Sequence, residues 1–325
     1  MKNRLLVPAD GRVLDRILDA TYEIWNEELS RKGYERYYAA QRATAWGRSH
    51  LDRVALVEGD AVLASAKRYR MEATLDGESL RVVGLGAIFT AAESRGQGIA
   101  RDLVERLLDV ETAAGSDLAL LFSEIGPDYY ARLGFTAIEV HDLELRVAEP
   151  QRGGAPMTMV RAGEDRDFAD LAAIGAVRAA PYRFHLNRDR DLVHHAVSKR
   201  RLLAGLGPSG LREVQFVVAE EGGAAVAYVV VMRRDGIWAI EEAGDRDPAG
   251  ARLGALLQVL IARDPAERRP VIRAALPPRL RPPQVTVIDR RPAAEIMMVR
   301  ALSDRAAAIR SLREEDLLYW MSDRF

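Results

Sequence analysis

Residues 94–108, SRGQGIARDLVERLL, set Gly96, Gly98 and Ala100 between a lone arginine, Arg95, and an amphipathic helical pattern. Glycine at a helix start costs about 1 kcal/mol against alanine, so a bare backbone there needs a reason. The first amides of a helix are unpaired and stand at the positive end of its dipole. Small side chains let an anion reach them, and Arg95 adds a fixed positive charge. The chemistry on offer is the binding of a phosphate or pyrophosphate. No Lys-Ser/Thr follows the glycines, which excludes a Walker loop. A dinucleotide fingerprint would place its loop after the first strand of a unit, with three spaced glycines.

Residues 120–135, LLFSEIGPDYYARLGF, hold a second reactive group. Tyr130 lies shortly before Gly134-Phe135. A phenol with its ordinary pKa near 10 stays protonated at neutral pH and can give up a proton to a leaving group. Tyr129, on another face, reads as structural.

The elements that position these groups follow from periodicity. Residues 3–7 read as a strand. Asp10 is placed to cap a helix carrying Val13, Ile17 and Tyr22, and Ser30 to Trp46 reads as a second helix rich in aromatics. RVALVEGD, AVLASAKRYRMEATLDG and ESLRVVGLGAIFT read as strands, with Gly59-Asp60 and Asp76-Gly77 as turns. Residues 96–114 form a helix with Ile99, Leu103 and Leu107 on one face. LALLF at 118–122 is a strand buried on both faces. A short helix holds Tyr130, and GFTAIEV and DLELRV are expected to close the sheet. The class is α/β: a mixed, mostly antiparallel sheet flanked by helices.

RGQGIA resembles the Arg/Gln-x-x-Gly-x-Gly/Ala signature of the GCN5-related N-acetyltransferase (GNAT) superfamily, and YYARLGF resembles its tyrosine segment ahead of a Gly-Phe. The resemblance covers residues 1–147. Within the superfamily, YEIWNEELSRKGYERY, GLGAIF and SEIGPDYYARLGF are similar to the fungal lysine N6-acetyltransferases. The Ser-Glu pair, a tandem domain and a last residue Phe are similar to the "enhanced intracellular survival" aminoglycoside acetyltransferases.

The resemblance implies acetyl-CoA, or a related acyl-CoA, as co-substrate. It assigns the pantetheine arm to the backbone of Ile88, Phe89 and Thr90. It assigns the pyrophosphate to Arg95, Gly96, Gln97, Gly98, Ile99 and Ala100, and sets Ser123 and Glu124 near the thioester. Tyr130 becomes the acid that protonates the thiolate. The base is Glu124 or the carboxylate of Phe325, at the end of an apolar tail, LLYWMSDRF, that should dock. The region between the first two helices lines the acceptor site in this superfamily. Glu23 and Glu27, spaced i,i+4 on one helix face, would there attract a cationic amine beside Trp25. The implied reaction is acetyl transfer to a primary amine of a small molecule, with lysine favoured. An aminoglycoside or a polyamine as acceptor, or a non-catalytic acyl-CoA sensor, are the alternatives.

Composition bounds these readings. The 325 residues fit about two domains. The absence of cysteine excludes disulfides, thiolate zinc sites and cysteine nucleophiles. A net charge of −1 argues against a dedicated nucleic-acid binder. The five histidines lack metal spacing, so no metal is expected. No apolar run is long enough for a membrane span and MKNRLLVPADGR does not read as a signal peptide, which makes a cytoplasmic location the expectation. Homo-oligomerisation is left open.

AEPQRGGAP, residues 148–156, reads as a linker, and 157–325 as a second, degenerate GNAT-like domain. Its counterpart junction has Arg246 followed by Ala249 and Ala251, with Asp245 and Asp247 set to repel phosphate. Asp247 is expected to cap the following helix with Pro248 at its first position. This half would serve as scaffold and as one wall of the acceptor pocket. His194 and His195 diverge on a helix, one of them exposed and neither catalytic.

Overall fold

The computed structural model of the protein describes residues 4–149, 159–265 and 269–325. The chain divides into two units: Met1–Glu139, Glu295–Leu312 and Phe325 form one, Val140–Ala294 and Arg313–Arg324 the other.

The first unit runs β1 (Arg4–Pro8), α1 (Gly11–Trp25), α2 (Arg31–Ala43), α3 (Ala45–His50), β2 (Leu51–Glu58), β3 (Ala61–Leu75), β4 (Glu78–Thr90), α4 (Ile99–Ala113), β5 (Leu118–Ser123), α5 (Asp128–Ala131) and β6 (Thr136–Ile138). The helix expected from Ser30 to Trp46 is broken at Thr44, whose Oγ1 accepts the Gly47 amide at 3.0 Å and so starts α3. Asp10 occupies the cap position of α1 without capping it; its carboxylate faces Arg42 Nη1 at 3.4 Å instead.

The second unit comprises β7 (His141–Val147), β8 (Met159–Ala162), α6 (Phe168–Ala179), β9 (Phe184–Leu186), α7 (Arg190–Leu206), β10 (Glu213–Glu221), β11 (Ala224–Arg234), β12 (Ile237–Asp245), α8 (Ala251–Ile261), β13 (Val271–Ala274) and β14 (Val285–Pro292). β15 (Ile296–Ala301) returns to the first unit, and β16 (Leu317–Leu318) pairs in parallel with β9.

Strand order in the first sheet is β1-β2-β3-β4-β5-β15-β6, and in the second β14-β7-β13-β12-β11-β10-β8. The closing strands therefore differ from the expectation. GFTAIEV supplies β6, which pairs with β15, while DLELRV becomes β7, between β13 and β14. The unit boundaries shift accordingly from 147 and 157: residues 141–147 join the second unit and 295–312 the first. The reason is apolarity on both faces. Met297, Met298 and Val299 are all buried and require a slot between two strands, which β5 and β6 provide. The linker reading at 148–156 falls, from residue 150 on, outside the described residues.

Both sheets are covered on two faces. In the first, Ile99, Leu103, Val104, Leu107 and Leu108 of α4 pack on Val54, Leu56, Val83, Leu85, Ala119 and Leu121. Each fully buried side chain of this kind contributes about 1.5–3 kcal/mol. On the opposite face Ile17 of α1 meets Ala55 and Val57. In the second sheet, α8 covers Val229, Val231, Trp238 and Ile240, while α6 and α7 cover Phe216, Val218, Tyr228 and Val230. The alternation along β11 sends successive residues to opposite layers.

Candidate active site

β4 and β5 run parallel only from Val82–Leu118 to Leu85–Leu121. Immediately beyond, β4 carries one residue too many against β3: Lys67 faces Gly86 and Ser65 faces Phe89, with Ala87 at φ 46. Such a bulge bends its strand. Phe89 and Thr90 remain paired to Ser65 and Ala64 on β3, but form no ladder pair with β5. The backbone of Ile88, Phe89 and Thr90 thus has no ladder partner on the side where β4 and β5 part, and Thr90 O there accepts from Arg95 Nε.

The strand leads into the loop 91–98 and then α4. Gly98 is the N-cap residue with no side-chain cap, and both Gly96 and Gly98 have φ near +75. L side chains rarely adopt that conformation, which explains the glycines. A Cβ at either position would meet nothing within 4 Å, so the chain's own packing does not demand glycine there and the approach to the backbone is open. Among the described residues, the amides of Gly96, Gln97, Gly98, Ile99 and Ala100 have no acceptor. Arg95 is exposed and its Nε donates to Thr90 O at 3.3 Å, while Gln97 Nε2 donates to Glu93 O at 2.8 Å. A row of unpartnered amides at a helix N-terminus beside an arginine fits a diphosphate.

Tyr130, on α5, is 8% exposed and packs edge-on against Tyr129 and Phe135 with centroids 5.0 and 6.0 Å away. Burial pushes its phenol up to about 12, with a smaller contribution from Tyr129. The hydroxyl has no hydrogen-bond partner among the described residues. Ser123 is buried at the end of β5, and its Oγ donates to Gly126 O at 2.7 Å, closing the turn between β5 and α5. Glu124 is exposed beside it.

Phe325 belongs to the first unit. Its ring stacks on Tyr69 at 4.5 Å and meets Phe122 edge-on at 5.5 Å. A Cβ on Gly84 would stand 2.5 Å from Phe325 Cζ, and one on Gly86 2.9 Å from its carbonyl carbon and oxygen. Gly84 and Gly86 are therefore small because Phe325 lies against them. The pattern Gly-x-Gly inside a strand was the signal for this close approach, but it does not name the partner.

The acceptor-side carboxylates do not share a helix face. α1 ends at Trp25, which is half-buried. Glu23 lies exposed on the helix, whereas Glu27 lies beyond it at φ 51. Asn26 turns the chain: its Oδ1 accepts the Glu28 amide at 2.8 Å and its carbonyl the Leu29 amide at 2.8 Å. Sequence patterning also passed over Arg53. It sits on β2 opposite Lys67, which in turn faces Gly86, so all three occupy one row on one face. Its guanidinium stands 5.5 Å from the Tyr38 ring.

In the second unit β12 and β13 also run parallel over Ile237–Ile240 and Val271–Ala274, and a register shift against β11 follows, between Val230 and Val231. Here α8 begins at Ala251, with Gly250 at φ 72 as N-cap, not at Pro248 behind an Asp247 cap. Superposing the two N-cap glycines puts Asp247 in the place of Arg95, Pro248 in that of Gly96 and Arg252 in that of Ala100. Asp245 accepts the amides of Leu253 and Asp247 at 2.9 and 2.8 Å, and Asp247 accepts that of Ala249 at 3.0 Å. His195 is buried on α7 and His194 is half-buried against Phe168, so neither is exposed as expected.

Residues 13–138 match the family model described as Acetyltransferase (GNAT) domain, and this part of the chain is a GNAT acetyltransferase domain. Solved structures resemble nearly the whole chain. A GCN5-related N-acetyltransferase from Kribbella flavida shares 19% identity at a TM-score of 0.70, covering 94% of this chain and 73% of its own. Eis1 from Mycobacterium abscessus shares 15% identity at 0.57, covering 95% and 76%. N-myristoyltransferase from Saccharomyces cerevisiae, with bound myristoyl-CoA, shares 8% identity at 0.54, covering 92% and 82%. At these identities the likeness is one of fold. No curated protein sequence matches the chain. Among the described residues no group of three or more His, Asp or Glu could hold a metal, and no helix is long and apolar enough to cross a membrane.

Proposed function

We propose that the protein transfers the acetyl group of acetyl-CoA to a primary amine of a small molecule, free lysine foremost. The observation that carries this reading is the row of unpartnered amides from Gly96 to Ala100 at the mouth of the parted strands β4 and β5. The diphosphate of the co-substrate binds these amides and Arg95. The pantetheine arm lies along Ile88, Phe89 and Thr90, which form no ladder pair with β5.

An alkylamine of pKa about 10 arrives charged and must lose a proton. Glu124, exposed just past the end of β5, is the side-chain carboxylate placed to take it. The freed amine nitrogen bonds to the thioester carbon and the carbon–sulfur bond breaks. The departing thiolate takes the proton of Tyr130, whose raised pKa keeps that proton in place at neutral pH, and the second proton that the attacking nitrogen sheds on becoming an amide restores the phenol. The test is release of CoA thiol from acetyl-CoA in the presence of lysine, polyamines and aminoglycosides in turn. Lysine-dependent release is the expected result. Tight CoA binding with no release for any amine would favour a sensor and overturn the transferase reading.

A further inference from the structure

Arg53 is a buried charge without a counter-charge. It is 2% exposed, and among the described residues its Nε and Nη1 have no hydrogen-bond partner. Burial pulls its pKa down from the ordinary arginine value, and only the phenols of Tyr38, Tyr34 and Tyr69 oppose that. The face of Tyr38 offers a cation–π contact, which offsets part of the desolvation but satisfies no N–H. Leaving a guanidinium buried and unpaired is among the costlier arrangements in a protein interior. Two neighbouring polar atoms share the condition: the Tyr38 hydroxyl and the Ser65 hydroxyl are buried without partners. Ser65 faces Ala55, so it shares the Arg53 face of the sheet.

The position of this cluster is informative. Arg53 pairs with Lys67 and Lys67 with Gly86, the residue at the bulge where β4 leaves β5. Two strand spacings of about 4.8 Å separate the Arg53 backbone from that of Gly86. An acceptor whose amine reaches the parted strands can therefore extend its other end along this row to Arg53. A polyamine or aminoglycoside would set a cation against Arg53 and Lys67. A carboxylate instead satisfies the guanidinium with charge-assisted hydrogen bonds in the geometry arginine favours.

We propose that Arg53 is the acceptor-recognition residue, pairing with a carboxylate on the substrate. The substrate is then an amino acid whose reactive amine lies several bonds from its carboxylate. The proposal rests on the acyl-transfer reading for which end of the ligand reacts; the pairing itself is measured without turnover.

The experiment titrates the full chain, saturated with CoA, with lysine, 6-aminohexanoate and 1,5-diaminopentane by calorimetry. Lysine and 6-aminohexanoate should bind, with the diamine weaker by about 30-fold, the scale of a charged hydrogen bond to a buried partner. Arg53→Met should erase that preference while keeping CoA affinity and thermal stability, because an apolar side chain replaces an unpaired charge. Arg53→Lys, which keeps the charge but not the planar fork, should retain a reduced preference and guards against a folding defect in the first variant. A diamine that binds as well as lysine, absence of binding by both carboxylate ligands, or a preference that survives Arg53→Met overturns the proposal. Arg53-dependent lysine binding without CoA thiol release in the turnover assay would instead sink the transferase reading and leave the pairing intact.

Discussion

The junctions at Arg95–Ala100 and Asp247–Arg252 are built to one plan and chemically opposed. Each follows four parallel residue pairs and a register shift, and each enters a helix through a glycine at φ near +70. In the first unit the loop amides are unpartnered and an arginine stands beside them. In the second, Asp245 and Asp247 supply the anion from within the chain. Asp245 is 1% exposed; burial raises its pKa, opposed by the Leu253 and Asp247 amides. The strand ends differ likewise. Gly86 carries no side chain beside the first bulge and receives Phe325 against its backbone, whereas at the second Glu241 and Glu242 project into ion pairs with Arg200 and Arg188. Glu242 also accepts from Tyr228 and Ser322. The same fold thus either presents an anion site or fills one, and a few side chains decide which.

The comparison breaks hardest at Tyr130, which has no tyrosine-Gly-Phe counterpart in the second half. Tyr130→Phe should lower kcat by about 10²–10⁴-fold, the usual contribution of a positioned acid, with CoA affinity unchanged. The sign with pH follows from the raised pKa: the proton-donating form persists above pH 10 and is lost only as pH approaches about 12. A kcat–pH profile of the wild type should accordingly show no alkaline fall from this group before then. Gly96→Pro imports the second unit's residue into the first loop. Proline holds φ near −65° and cannot adopt the +74° found there. CoA affinity should drop by about 100-fold as the amide row is turned away. Asp245→Ala tests the other side and has the smallest effect. It strips the acceptor from two amides, which should cost about 1–2 kcal/mol, read as a lower Tm. It should not create a CoA site, because Asp247 and Pro248 remain.

Local features were legible in the sequence, and non-local ones were not. The loop, the amphipathic α4 and the doubly buried β5 are written in contiguous residues through glycine placement and apolar periodicity. The exchange of β7 and β15 is not, because a strand pattern says which faces are apolar but not which neighbour it pairs with. Glu23 and Glu27 were misplaced because Asn26, Glu27 and Glu28 form a turn with two non-glycine residues at positive φ, a conformation the residue types do not announce. In the second half the counterpart of Arg95 is Asp247, one residue beyond Arg246, a register that only the N-cap geometry at Gly98 and Gly250 fixes. Arg53 looked like the polar member of an alternating strand, and its burial depends on tyrosines contributed by α2.

The central claim is that only the first junction grips an acyl carrier. A calorimetric titration with CoA measures this most directly. The account predicts one CoA bound per chain, lost in Gly96→Pro and untouched by Arg246→Ala. Two CoA molecules per chain, or binding that survives Gly96→Pro, would contradict it.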